Sequence, residues 1–230
     1  MRRLLEVDAL RGLAIVMMII YHLAFDLNYL EVIHADVDNG FWFVWVRIVQ
    51  FLFLGICGVS VYLSKRGFKG QLERGFKIFM AGMLVSFVTW VFVGDGYVKF
   101  GILHLIGVAV PVVVLFKRRP KAAIVASVVS ILLGRYFLTL TPENPYLFPF
   151  GLVAGGFYSL DFFPIFPWLA VPLAGLATGQ LLYKKKNPTF LEIFAKVPGL
   201  TFVGRHSLLI YLVHQPVLYS ILLLCVKWLS

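Results

Sequence analysis

Long apolar stretches alternate with short polar connections along the whole chain. Each stretch is close to the roughly 20 residues that an α-helix needs to cross the hydrocarbon core of a bilayer. The pattern predicts an all-α integral membrane protein, a bundle of about seven transmembrane helices that forms a single domain over residues 1–230. The approximate spans are 9–30, 41–63, 78–94, 101–116, 122–140, 163–183 and 201–224, of which the third and fourth are short.

The polar connections differ in charge. Basic clusters occur at every second connection, whereas the other connections are mostly acidic and hold Lys99 as their only base. Because cytoplasmic loops collect Lys and Arg, this alternation predicts a cytoplasmic N-terminus and an external C-terminus. The basic residues are Arg2, Arg3, Lys65, Arg66, Lys69, Arg74, Lys77, Lys117, Arg118, Arg119, Lys121, Lys184, Lys185, Lys186 and Lys196, and the acidic ones are Glu31, Asp36, Asp38, Asp95, Glu143 and Asp161.

Composition agrees with a membrane protein. Hydrophobic residues make up 60% of the chain and the mean hydropathy is +0.90, against roughly 45–50% apolar residues in soluble domains. The formal net charge of +10 follows from the basic loops, so it indicates attraction to anionic lipid rather than nucleic-acid binding. We predict a multi-pass protein of the cell membrane.

Two histidines lie inside apolar stretches, His22 in the first and His214 in the last. An ionisable side chain in hydrocarbon costs roughly 2.5 kcal/mol or more, so it usually faces a protein interior and has a function. At about 1.5 Å per residue, His22 lies about 16 Å beyond Arg11 and His214 about 14 Å beyond Arg205, near the bilayer centre. Asp26 follows His22 by one helical turn on the same face.

Further polar residues extend this pattern towards the outside. His104 and His34 fall in the outer part of the fourth span and in the first outer loop, so the sequence predicts a polar cavity from mid-membrane to the outer surface. Structural alternatives remain open. An intramembrane histidine can bond a backbone carbonyl, and His214 can satisfy backbone groups freed by Pro216. Near the first helix start, Asp8 and Arg11 can form an ion pair.

The residues that could bind a charged ligand or a metal also have structural explanations. Arg205 and His206 can act as interfacial anchors instead of ligands. A metal site formed by His22, His104 and His214 is geometrically conceivable, but no His-Glu-x-x-His spacing, Gly-rich phosphate loop or GxSxG motif is present. We therefore expect no metal. The glycines from Gly175 to Gly179 are more typical of close helix packing.

Several blocks resemble the membrane acyltransferases related to heparan-alpha-glucosaminide N-acetyltransferase, and the prokaryotic branch of that family is the most similar. The similarity runs from near residue 5 to near residue 216, and its first and last blocks are specific. The first block, Glu6 to Ile15, is followed by His22 and Asp26; the others are Phe53 to Ser60, Phe100 to Gly107, Phe166 to Leu169, Pro172 to Gly179 and Gly204 to Pro216.

The resemblance implies an enzyme that takes acetyl-CoA from the cytoplasm and delivers the acetyl group to an external glycan or amino-sugar acceptor, on an amine or a hydroxyl. It implies that His22, Asp26, His34 and His214 are catalytic, with His34 at the position of a proposed acetyl carrier. The glucosaminide enzyme has an amide residue where this chain has His22. An arginine followed by histidine, as Arg11 and His22 are here, is a feature of related O-acyltransferases.

The same resemblance implies that acetyl-CoA, as acyl donor, is bound by Arg11, Arg205, His206 and His104. Analogy with the family also suggests a homodimer. Two other classes of protein fit the pattern. A proton-coupled transporter or exporter would use the intramembrane His and Asp residues as a relay, and a scaffold subunit would tolerate the loss of every histidine.

Overall fold

The computed structural model describes residues 4–37, 39–183 and 192–229. Within these ranges the chain forms helices and no β-strand, which confirms the all-α prediction; a single isolated bridge pairs Phe100 with Phe162. The helices are α1 (Leu5–Tyr29), α2 (Gly40–Leu63), α3 (Phe68–Val93), α4 (Ile102–Val114), α5 (Pro120–Phe137), α6 (Ile165–Trp168), α7 (Ala170–Tyr183), α8 (Glu192–Ala195), α9 (Leu200–Arg205) and α10 (Ser207–Leu229), with short 3-10 turns at Gly94–Gly96 and Pro145–Phe150.

Six helical segments of the described residues are long and apolar enough to cross a membrane. They are Leu5–Tyr29, Gly40–Leu63, Phe68–Gly96, Pro120–Phe137, Ile165–Tyr183 and Ser207–Trp228. This confirms a multi-pass membrane protein of roughly seven helices. The predicted fourth span is a shorter apolar helix, α4, of 13 residues, which is about 20 Å long and covers only part of a bilayer.

Three predicted spans differ in detail from the helices. The third begins at Phe68, ten residues before the predicted start at 78, because the polar first turns of α3 are already helical. The sixth is divided into α6 and α7, with Phe166 in an extended conformation. The last is divided at His206 into α9 and α10.

The described helices belong to two compact units, unit 1 (Met1–Phe53 and Pro188–Ser230) and unit 2 (Leu54–Asn187), with α2 contributing residues to both. The prediction of one domain over residues 1–230 stays a prediction. So does the orientation of the chain. Of the residues that carry the charge pattern, Arg2, Arg3, Asp38, Lys184, Lys185 and Lys186 lie outside the described residues.

Unit 1 is held together where small residues let helices approach closely. A Cβ on Gly12 would lie 2.0 Å from the carbonyl oxygen of Leu200, and a Cβ on Gly204 would lie 1.7 Å from that of Asp8. Only glycine fits at such contacts between α1 and α9. A small core of Ile15, Met18 and Val49 lies beside this contact.

Unit 2 uses the same kind of packing. A Cβ on Gly58 would lie 2.0 Å from the oxygen of Pro172, and one on Gly175 would lie 2.2 Å from the oxygen of Gly55, so α2 and α7 are in backbone contact. This confirms the prediction of close helix packing for the glycines from Gly175 to Gly179. The core beside it is aliphatic, with Val61, Val110, Leu173 and Leu176 all buried.

The short helix α4 runs antiparallel to α3. A Cβ on Gly75 would meet the oxygen of Gly107, whereas one on Gly82 would meet the ring of His104, so residue numbers rise on α3 as they fall on α4. The five residues from Tyr97 to Gly101 are not helical and at about 3.3 Å per residue add roughly 16 Å.

Candidate active site

Two helices of unit 1 bring together polar residues that are far apart in the sequence. The rings of His22 on α1 and His214 on α10 have centroids 4.9 Å apart. Gln215 Nε2 donates a hydrogen bond of 2.8 Å to Asp26 Oδ1, which links positions 189 residues apart. Asp26 is 2% exposed. The structure thus unites three of the predicted catalytic residues, together with Gln215, in one cluster in which Asp26 is buried and the other three are half-buried.

Each of these four side chains has one buried polar atom without a hydrogen-bond partner among the described residues. The atoms are His22 Nδ1, His214 Nε2, Asp26 Oδ2 and Gln215 Oε1. A buried polar atom left unpaired costs roughly 1–3 kcal/mol, and most buried polar atoms in native proteins are paired. Four such atoms in one cluster make it the candidate site of the described residues, although Asp8 Oδ2 and both amide atoms of Gln71 are also without a partner there.

The backbone fixes the tautomer of His214. Its Nδ1 lies 2.6 Å from the carbonyl oxygen of Tyr211, and because a carbonyl only accepts, Nδ1 carries the hydrogen. Neutral His214 therefore has its lone pair on Nε2, the buried atom without a partner. In the same way, Gln215 donates from Nε2 to Asp26, which leaves Oε1 as an acceptor. The unpaired atoms of His214, Gln215 and Asp26 are thus all able to accept a hydrogen bond.

A second polar cluster of unit 1 lies near the start of α1. Asp8 Oδ1 bonds Arg11 at 2.9 Å, and Asp8 Oδ2 lies 3.6 Å from Arg205 Nε. The glycine contacts at Gly12 and Gly204 place α9 close enough for this pairing. The Asp8–Arg11 ion pair considered from the sequence is therefore present. The Arg205 side chain is 42% exposed, so it remains accessible to an anion.

The other two predicted residues of unit 1 are exposed. His206 ends α9, where its Nδ1 lies 2.9 Å from the oxygen of Phe202 and its ring lies against the Phe202 ring. His34 lies in the loop after α1, and the next residue is fixed by a hydrogen bond from Ala35 N–H to Asn28 Oδ1 at 3.0 Å. Their predicted roles in acetyl-CoA binding and as acetyl carrier stay predictions.

His104, predicted to bind acetyl-CoA, lies in unit 2 and has protein partners on both ring nitrogens. Gly101 N–H donates to Nδ1 at 3.1 Å, and Nε2 lies 3.4 Å from Ser86 Oγ. Ser86 in turn donates to the oxygen of Val98. Because Nδ1 accepts, the hydrogen of neutral His104 is on Nε2 and is directed at Ser86. These contacts fix the ring at the start of α4, and the predicted role of His104 in acetyl-CoA binding stays a prediction.

The non-helical segment before α4 is stabilised by further side chains of unit 2. Thr89 Oγ1 accepts from Val98 N–H at 3.0 Å, Ser159 Oγ accepts from Lys99 N–H at 3.0 Å, and Asp161 Oδ2 accepts from Ile102 N–H at 3.0 Å. Buried backbone N–H groups outside helices require partners of this kind. Burial raises the pKa of the Asp161 carboxyl to about 6, although the hydrogen bond from Ile102 opposes the shift.

Sequence reasoning did not predict roles for Gln215, Ser86 or Asp161. The signal for Gln215 is its position next to His214, a polar pair inside an apolar helix. Ser86 and Asp161 had no comparable signal, because their partners are backbone groups of the segment before α4. In the part of the chain that the structure describes, no group of three or more His, Cys, Asp or Glu residues could hold a metal ion.

The fold and this cluster define a polytopic helical membrane protein with a buried His-Asp-Gln site. Residues 3–216 match the family model described as heparan-alpha-glucosaminide N-acetyltransferase, catalytic. The chain belongs to this family of transmembrane acetyltransferases, which confirms the resemblance seen in its first and last blocks. Comparison with curated proteins and with solved structures finds no significant match.

Proposed function

We propose that this protein transfers the acetyl group of cytoplasmic acetyl-CoA to a hydroxyl or an amine of an extracytoplasmic sugar. One observation carries the proposal: the buried cluster of unit 1 offers unpaired acceptor atoms on His214, Asp26 and Gln215. A partner for acceptor atoms must bring O–H or N–H donors. Sugar hydroxyls and amines are rich in such donors, and family membership supplies the reaction class.

The tautomer of His214 suits general base catalysis. Its Nε2 lone pair takes the proton from the acceptor hydroxyl or amine as that oxygen or nitrogen attacks the thioester carbonyl. The new carbon–oxygen or carbon–nitrogen bond forms, the carbon–sulfur bond breaks, and the proton on Nε2 passes to the departing CoA thiolate. Tyr211 holds the ring in orientation through Nδ1 throughout.

The remaining members of the cluster position the substrate. Asp26 Oδ2 and Gln215 Oε1 accept from further hydroxyls or from an ammonium group of the sugar. His22, whose ring lies beside that of His214, either shares the role of base or attacks the thioester carbonyl as a nucleophile. His34 remains the candidate carrier in the outer loop.

The donor end of unit 1 is the ion-pair cluster near the start of α1. Asp8 orients the guanidinium groups of Arg11 and Arg205, and guanidinium forks suit bidentate binding of phosphate. We place the CoA phosphates here, with His206 beside them. The cluster is roughly 16 Å along α1 from His22, a distance that the pantetheine arm of CoA spans. A position in the cell membrane and a homodimer complete the proposal.

Purified protein supplied with acetyl-CoA and either glucosamine or an uncharged oligosaccharide tests this proposal. We expect acceptor-dependent release of free CoA thiol and an acetylated sugar, and the acceptor that reacts decides between N- and O-acetylation. His22→Ala should abolish transfer while acetyl-CoA still binds. Absence of thiol release with every acceptor, combined with proton-dependent solute flux in liposomes, would overturn the proposal and support the transporter alternative.

A further inference from the structure

A basic depression lies in unit 2, where the end of α2 and the end of α4 come together. Its volume is about 760 Å³. The two connections that follow these helices supply its charged lining, and no acidic residue contributes. The charged residues are Lys65, Arg66, Lys117, Arg118 and Arg119.

Most of this positive charge has no partner among the residues that the structure describes. Lys117 donates from Nζ to the carbonyl oxygen of Ser64, and burial, with a smaller contribution from Arg118, lowers its pKa. The side chains of the other four bases form no hydrogen bond or ion pair with the part of the chain that the structure describes. Like charges gathered in a concave site repel one another and attract an anion.

The depression also has an apolar side. Tyr62, Val114 and Leu115 line it together with the bases, and Leu115 is 62% exposed. A small, fully hydrated phosphate would gain nothing from an exposed leucine, whereas a lipid brings a phosphate and an acyl chain on the same molecule. Charge and apolar surface together therefore fit an amphipathic anion.

The position of the depression agrees with such a ligand. The connections after α2 and after α4 are two of the basic clusters that predict the cytoplasmic side, and the structure brings both to the same end of unit 2. Helix ends with basic residues lie at the level of the lipid headgroups. We infer that this depression is a binding site for the phosphate headgroup of an anionic phospholipid.

Titration of the full-length protein in detergent with dioctanoyl phosphatidylglycerol or dioctanoyl phosphatidylcholine, followed by native mass spectrometry, tests the site. The variant Lys65→Gln/Arg118→Gln removes two unpaired bases from the lining. Two such contacts correspond to about a 30-fold loss of affinity for the anionic lipid. The matched control, Lys69→Gln/Lys77→Gln, removes the same charge from exposed residues of α3 that do not line the depression and should bind like wild type.

The inference is independent of acetyl transfer, and three results would overturn it. Equal binding of the two lipids would show that charge is not recognised. An equal loss in the control variant would show general surface attraction. Displacement of the lipid by inorganic phosphate or by CoA at similar concentrations would assign the site to a soluble phosphate. A second variant, Arg66→Gln/Arg119→Gln, repeats the test if the first does not fold.

Discussion

His214 in unit 1 and His104 in unit 2 are both held by the backbone through Nδ1, but in opposite senses. Nδ1 of His104 accepts from Gly101 N–H, whereas Nδ1 of His214 donates to the oxygen of Tyr211. Neutral His104 therefore carries its hydrogen on Nε2, facing Ser86, and neutral His214 has a lone pair on Nε2. The backbone group that each ring meets thus decides which ring can act as a base.

The hydrogen-bond networks around the two rings also differ, because only the one around His104 is fully paired. The network around His104 ends at the backbone oxygen of Val98 and leaves neither ring nitrogen unpaired. The network around His214 ends in unpaired atoms of His22, Asp26 and Gln215. A satisfied buried network stabilises a fold, whereas an unsatisfied one destabilises it until a ligand binds. The same residue type is therefore structural in one unit and catalytic, as proposed, in the other.

The largest effect should come from His214→Asn. The amide of asparagine can still donate to the Tyr211 oxygen from the place of Nδ1, but it has no base at the place of Nε2. We expect the acetyl transfer rate to fall about 100-fold to 10,000-fold, with little change in Tm. Transfer at the wild-type rate would exclude His214 as the base. A large fall in Tm would show that the ring is structural here as well.

Gly204→Ala tests whether the unit 1 cluster depends on the close contact of α1 and α9. The added Cβ would lie 1.7 Å from the oxygen of Asp8, and overpacking against backbone costs about 3 kcal/mol. We expect a clear fall in Tm and weaker acetyl-CoA binding, because Asp8 and Arg205 would be pushed apart. Gly55→Ala is the control, since its Cβ would meet nothing within 4 Å; an equal fall there would contradict the steric explanation.

The sequence was sufficient to predict the membrane class and most helices, because hydropathy is a local property that each span carries by itself. It was insufficient for the start of α3, for the non-helical segment before α4 and for the break at His206. The non-helical segment before α4 depends on distant partners such as Ser159 and Asp161, and no local sequence pattern predicts such partners. In the segment before α4, tertiary hydrogen bonds replace helical ones, and hydropathy does not register them.

In the candidate site, too, some features could be predicted from the sequence and others could not. His22, Asp26 and His214 could be predicted because an ionisable residue in an apolar helix is conspicuous. The pairing of Asp26 with Gln215 joins positions 189 residues apart, and the tautomer of each histidine depends on a single backbone group. The sequence placed His104 nearer the outer surface than His214, but it could not show the hydrogen bonds that distinguish the two rings.

His104 should behave in the opposite way to His214. His104→Ala leaves Gly101 N–H without an acceptor in a buried position, and we expect a loss of about 2 kcal/mol in the free energy of unfolding. His104→Asn can accept from Gly101 through its side-chain oxygen, so it should recover most of the loss and retain transfer activity. Thermal denaturation of both variants provides the measurement. Loss of transfer in a stably folded His104→Asn protein would return His104 to its predicted role in donor binding.

The last effect is similar in size but appears only as a dependence on pH, and it concerns Asp161, which belongs to the satisfied network of unit 2. Its pKa in the folded protein is raised to about 6, so the folded state binds a proton more tightly than the unfolded state, whose carboxyl titrates near 3.9. Stability should therefore be highest below about pH 4, fall as the pH rises from about 4 to about 6, and stay constant above that range.

Tm measured at intervals between pH 4 and pH 7 should fall along this slope. We expect the free energy of unfolding to fall by about 2 kcal/mol over this range, because partial exposure of the residue reduces the effect of its pKa shift. Asp161→Asn keeps an oxygen that can accept from Ile102 N–H but does not titrate, so its Tm should not follow the slope of the wild type. If the variant retains the full slope, another group titrates in this range. The pKa of Asp161 at the start of α4 would then not be raised by burial.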